Sequence, residues 1–292
     1  FSLLTVVVAF AMNNAQADTF YLQANQSGNW TDLNTWFDQP SGGGDNPSGD
    51  GPLNGHDFFS NGFRVRAGAG TFGDESTTLT LNSQWVLRAA PPTTSTIHNL
   101  ILAGSDTARF SAGVGTASAT VTNLTASANA RFDSDGNTRT IEFNIGTITG
   151  SGNLSISGNT TVHLSISTGV NYTGNLMFAA LSTAGIFDFS NGFTIGGGLI
   201  ANNDGVNSSN RIILDQNITV GSLILNGNSF APGTYTASQL LTMNSGAYAD
   251  LFEGSNTSDG VASITVIPEP TAASLWLLGI AGFVAGRRTR KN

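Results

Sequence analysis

An all-β chain wound as a parallel β-helix, or β-solenoid, is what this sequence predicts, and three observations carry it. Apolar and polar residues alternate in short bursts from Glu75 onward. Gly, Asn and Ser turn signals separate the bursts, as at Gly150-Ser151-Gly152-Asn153 and Ser157-Gly158-Asn159. Only 10% of the residues are charged, so few gatekeepers stand where open sheet edges would need them. A β-sandwich is the alternative that the same pattern permits. Stacked coils suit such short strands better, because they expose edges only at the two ends of the stack.

Taken in order, residues 1–17 read as a leader. An apolar run from Phe1 to Met12 is followed by Ala15-Gln16-Ala17, with Ala15 and Ala17 as the small residues that a signal peptidase reads. With no initiator Met and no basic start, the sequence is expected to begin inside that leader. Residues 18–74 form an N-terminal cap region. Trp30 and Trp36 are six apart, so an extended strand would place them on one face. They are expected either to close the open end of the solenoid or to stack on sugar rings. A Gly-, Asp- and Pro-rich loop follows from Pro40 to Pro52.

Residues 75–267 are the solenoid passenger. Its inward set is Leu79/Leu81, Leu100/Leu102, Ile141/Phe143/Ile145, Leu154/Ile156, Val162/Leu164/Ile166, Leu176/Phe178, Phe187/Phe189, Phe193/Ile195, Ile218/Val220, Leu223/Leu225 and Ile264/Val266. At about 20 to 25 residues per coil this region makes about eight or nine coils. Helical periodicity is confined to a turn near Ala237 to Leu241. Residues 225–266 read as a C-terminal cap, with a Pro232-Gly233 turn and with Tyr235 and Leu240 over the last coil.

The tail, residues 268–292, differs from everything before it. Pro268-Glu269-Pro270 precedes an uncharged stretch, 271–286, and then Arg287, Arg288, Arg290 and Lys291. As a helix that stretch reaches about 24 Å, a marginal span of a hydrocarbon core about 30 Å thick. The cations act as a membrane stop and place Asn292 in the cytoplasm and Ile267 outside.

Composition excludes several classes. With 39% hydrophobic residues among 292, the chain can bury a real core. Upstream of Pro268 it carries seven basic against 18 acidic groups, a balance of −11, which repels phosphate backbones and argues against nucleic acid as a partner. The absence of cysteine rules out a disulfide framework, and with three histidines no metal site or cofactor is expected. Asp133-Ser134-Asp135-Gly136-Asn137 pairs two carboxylates beside a glycine but lacks the spacing of a calcium loop, and a turn is expected there. His56, His98 and His163 are isolated in sequence, and His163, between Val162 and Leu164, is expected to face outward on a strand. No nucleophile elbow, zinc-protease or phosphate-loop motif is present, so no catalytic residue and no enzyme activity is expected.

The three-part tail closely resembles the PEP-CTERM sorting signal of exported proteins in Gram-negative bacteria. Gly150 to Ser167, "GSGNLSISGNTTVHLSIS", resembles autotransporter-associated β-strand repeats, and Trp30 to Trp36 with its following loop resembles the N-terminal portion of surface proteins that carry them. The first resemblance implies processing near the PEP motif by an exosortase, after export through signal peptidase and transient anchoring in the inner membrane. It also implies residence at the cell surface or in the extracellular matrix, together with exopolysaccharide and biofilm production. The expected function is therefore structural. A carbohydrate-binding adhesin is the alternative, and a polysaccharide-active enzyme the lesser one.

Overall fold

A computed structural model describes residues 17–26, 30–42, 44–48, 52–87, 93–104, 108–112, 116–132, 140–156, 162–178, 185–189, 192–202, 210–253 and 262–267. Ala15, the Asp133–Asn137 turn, the PEP motif, the apolar stretch 271–286 and the basic cluster lie outside them. Among the described residues no helix is long and apolar enough to cross a membrane.

The passenger is a β-solenoid of about five turns. Two parallel ladders build it. In the larger, of twelve strands among the described residues, Thr78–Leu81, Thr93–Leu102, Thr116–Ala126, Thr140–Gly150, Val162–Tyr172, Gly185–Asp188 and Arg211–Ile213 follow one another in chain order. In the smaller, Val65–Ala67, Gln84–Leu87, Ala108–Ala112, Ala130–Phe132, Leu154–Ile156, Leu176–Phe178, Gly198–Ala201 and Ser222–Leu225 do the same. Each coil thus gives one strand to each sheet. Register partners along these runs of the two ladders fall 20 to 25 residues apart, as Val65 opposite Trp85, Ala117 opposite Ile141, Ile141 opposite Val162, Val162 opposite Gly185 and Ile186 opposite Arg211.

Of the eight or nine coils expected, about five are regular. The regular spacing ends where Ile212 pairs with Phe252, 40 residues on, because between them the chain adds Ser222–Leu225 to the smaller sheet and then builds the cap.

The inward residues are those the alternation marked. Every one of them, from Leu79 to Val266, is buried in a single apolar core that runs the length of the stack. Aligned coils place like on like, as in Ala130, Leu154, Leu176, Leu199 and Leu223 along the smaller sheet. The longest strands also turn a corner. In Thr140–Gly150, Ile141, Phe143 and Ile145 are buried, and then the parity slips by one at Gly146-Thr147 so that Ile148 is buried too. A strict period of two would have sent Ile148 outward. The corner is tight, since a Cβ on Gly146 would stand 2.7 Å from the Thr122 carbonyl oxygen.

Both ends are closed by different means. At the start, Trp36–Phe37 pairs antiparallel with Thr19–Leu22, which in turn lies parallel to Asp57–Phe59. The edge strand Val65–Ala67 is covered by side chains, with Asn25 Oδ1 accepting Arg64 N–H at 2.7 Å and Gln26 Oε1 accepting Arg66 N–H at 3.0 Å. Such pairing blunts a template for strand addition. At the far end, Asn226-Gly227, both at positive φ, turn Ser222–Leu225 into the antiparallel Asn228–Ser229. A helix, Ala237–Gly246, then starts with a reciprocal Thr236–Gln239 capping box and buries Ala237 and Leu240. Ser263–Val266 is the middle strand of a three-stranded sheet, parallel to Ile218–Val220 and antiparallel to Gly233–Thr236.

Candidate functional site

The turns of the solenoid are built from stacked small residues. A Cβ on Gly152 would fall on the Ala128 carbonyl oxygen, one on Gly174 on that of Gly152, and one on Gly197 on that of Gly174. Glycine is required here by the approach of neighbouring backbones. Beside this column runs an asparagine ladder. Asn153 N–H donates to Asn129 Oδ1, Asn175 N–H to Asn153 Oδ1, and Gly198 N–H to Asn175 Oδ1, each at 2.8 Å. Tyr172, buried in the same turn, donates its hydroxyl to the Gly152 and Asn175 carbonyls at 2.9 and 3.2 Å, and burial pushes its pKa well up. These are structural devices.

The outer face of the larger sheet is polar and carries further ladders, such as Asn99 with Asn123 at 3.0 Å and Thr125 with Thr149 at 3.2 Å. His163 is half-buried on this outer face and its Nε2 meets Asp188 Oδ2 at 2.9 Å. Glu142 stands opposite His163 on the neighbouring strand. His98 Nδ1 lies 3.5 Å from the Thr122 hydroxyl. Among the described residues no group of three or more His, Cys, Asp or Glu could hold a metal ion.

Trp30 and Trp36 do not share one face of an extended strand. Asp32 accepts Asn34 N–H and caps a short 3₁₀ turn, Leu33–Thr35, between them. That turn folds the two indoles together, and Trp36 Nε1 donates to the Trp30 carbonyl at 3.1 Å. Both are fully buried. Trp30 packs at 5.2 Å from Phe72 and 6.1 Å from Trp85, and Trp36 at 5.1 Å from Phe58. Neither indole face is open to a sugar. Ala17 is exposed just before the first strand.

A concavity lies at this same end and draws on four separate segments. It is a cleft of about 400 Å³ lined by Asp18, Thr19, Phe20, Asp38, Asp45, Asn46, Ser48 and His56. The Gly/Pro loop forms one wall. Asp38 Oδ1 accepts Asp45 N–H and Asp38 N–H donates to the Asp45 carbonyl, both at 3.1 Å, which closes the loop on itself. Asn46 pins it to the cap by donating to the Leu33 and Trp36 carbonyls. On the other wall His56 Nδ1 accepts Asp18 N–H at 3.2 Å, and its ring meets Phe20 edge-on at 5.3 Å. The loop before His56 is stapled by Asp74, whose Oδ1 accepts from the Ser76 hydroxyl and from the amides of Ser76 and Gly55. Those bonds, led by the Ser76 hydroxyl, lower the Asp74 pKa to about 2.

Sequence reasoning missed this cleft, because each of its residues looks like an ordinary loop residue. The usable signal was the run of Asp38, Asp45 and Asp50 in a loop with few cations nearby. No protein-family model, curated protein or solved structure matches the chain.

Proposed function

We propose that this chain is an exported structural protein of the cell surface or extracellular matrix, released from a temporary inner-membrane anchor by an exosortase. The observation that carries the reading is the order of parts in residues 268–292: Pro268-Glu269-Pro270, an uncharged stretch, then Arg287, Arg288, Arg290 and Lys291. The fold is consistent with a removable tail. Among the described residues the last strand ends at Val266, and Ile267 N–H bonds the Val220 carbonyl at 3.0 Å directly before the motif. A rod with an outer face of Ser, Thr and Asn suits a matrix component, and exopolysaccharide is the partner that this setting offers.

Mass spectrometry of protein recovered from the surface or medium tests the reading. Mature chains are expected to lack the basic cluster in cells with an active exosortase and to keep it when that enzyme is deleted. An intact C-terminus ending in Lys291-Asn292 in both strains rejects the proposal. The adhesin reading has one observation in its favour, an outward aromatic pair, Tyr21 and Phe59, beside the N-terminal cleft.

A further inference from the structure

No Lys or Arg stands among the described residues that line the cleft at the N-terminal end. Asp18, Asp38 and Asp45 line it, and the nearest approach to an ion pair is His56 Nδ1, 4.0 Å from Asp18 Oδ2. That nitrogen already accepts Asp18 N–H at 3.2 Å. Three carboxylates opening on one concavity repel uronates, sulfates and phosphates and attract cations. They are not arranged as a metal cage, since no cluster among the described residues could hold a metal ion. The cation that fits is organic, and the cleft volume of about 400 Å³ is that of a small-molecule site.

A row of rings continues from the cleft. Tyr21 lies two residues beyond Thr19 on the same outward face of its strand, about 7 Å along it. Phe59 is its register partner on one side and Phe37, the residue before Asp38, on the other. The Tyr21 and Phe59 rings are stacked at 5.4 Å and 25° and remain partly exposed. Such rings accept the apolar side of a pyranose and attract an ammonium group. The hydroxyls of Thr19 and Ser48 in the cleft wall add partners for sugar hydroxyls.

We propose that the cleft and the ring row together bind a polysaccharide carrying free amino groups, with one ammonium among Asp18, Asp38 and Asp45 and the adjoining sugar against Tyr21 and Phe59. This deepens the matrix reading by naming the chemistry of the polymer the rod would hold. The charge pattern selects an amino sugar over its N-acetylated form, which has no cation to offer.

Calorimetric titration of the full chain near pH 6 tests it with three probes: a glucosamine oligosaccharide, its N-acetylated counterpart and an oligouronate. The glucosamine oligomer is expected to bind, more weakly as salt rises, and the other two at least about tenfold more weakly. Asp38→Asn with Asp45→Asn keeps the loop's acceptor at position 38 and is expected to weaken binding about tenfold with an unchanged melting curve. Equal affinity for the N-acetylated oligomer, wild-type binding by the double variant, or no binding of the glucosamine oligomer overturns the site. Protein that loses its tail normally yet binds none of the probes rejects this site alone. Protein that binds but keeps Lys291-Asn292 rejects exosortase processing alone.

Discussion

The middle of the stack and its N-terminal end solve the same packing problem with opposite materials. Between Ala128 and Gly198 the turns use the smallest side chains, because each coil lies directly on the backbone of the last. At the N-terminal end Trp30, Trp36, Phe58, Phe72 and Trp85 fill the end of the described stack. A coil inside the stack is specified by what it leaves out, and a terminal coil by what it puts in. The difference also shapes the surface, since the stacked coils repeat like positions, whereas the irregular end brings residues from distant segments into one cleft.

This contrast can be broken from either side. Trp36→Ala carries the largest expected effect, a loss of about 3–5 kcal/mol in the end that it fills. In a stack where each coil touches only its neighbours, that loss stays local. Hydrogen exchange should rise across residues 17–87 while the amides of Leu154–Ile156 stay protected. Uniform loss of protection would show that end and middle fold as one unit.

Gly174→Ala should cost about 1–3 kcal/mol, because the new Cβ meets backbone on the Gly152 side and the Tyr172 hydroxyl at 2.7 Å. Its signature is the reverse of the first, with protection lost in the middle and kept at the aromatic end. Asn153→Ala removes one rung of the ladder and leaves Asn175 N–H without its acceptor, at a cost of about 1 kcal/mol measurable by denaturant unfolding. A cost equal to that of Gly174→Ala would mean that hydrogen bonding and close approach matter equally in these turns.

Asp74→Asn sharpens the comparison through pH and has the smallest effect. The folded pKa of about 2 lies below the unfolded value of about 3.9, so this carboxylate stabilises the fold above about pH 4 and ceases to do so as pH falls through about 2. The variant should melt slightly below wild type at neutral pH, and the two melting curves should converge near pH 2. A gap that persists at pH 2 would mean that the staple acts by shape alone.

Much of this architecture was readable from residue order. The inward set was legible because a strand's two faces alternate by geometry and the core tolerates only apolar side chains. The helix from Ala237 was visible as a turn near Ala237 to Leu241. The register was not, because coils of 20 to 25 residues have no fixed period, so Gly152 and Gly174 do not announce that they touch. The Trp30–Trp36 geometry was misread because spacing alone does not reveal a 3₁₀ turn capped by Asp32. The cleft was invisible for a different reason: Asp18, Asp38, Asp45 and His56 meet only after the Gly/Pro loop has closed through the Asp38–Asp45 pair.

The three-stranded sheet at the far end sets an order of events in time. Each coil of the stack can settle on its predecessor once about two dozen further residues have been synthesised. Ile218–Val220 settles on its predecessor too, Thr219 bonding Phe193 and Ile195, but its other edge must wait for Ser263–Val266, which begins 45 residues after Ile218, and Gly233–Thr236 waits for that same strand. A nascent chain can therefore carry an assembled rod whose last edge stays open, and the arrival of Ile264 fills that edge and pairs Gly233–Thr236 in one step.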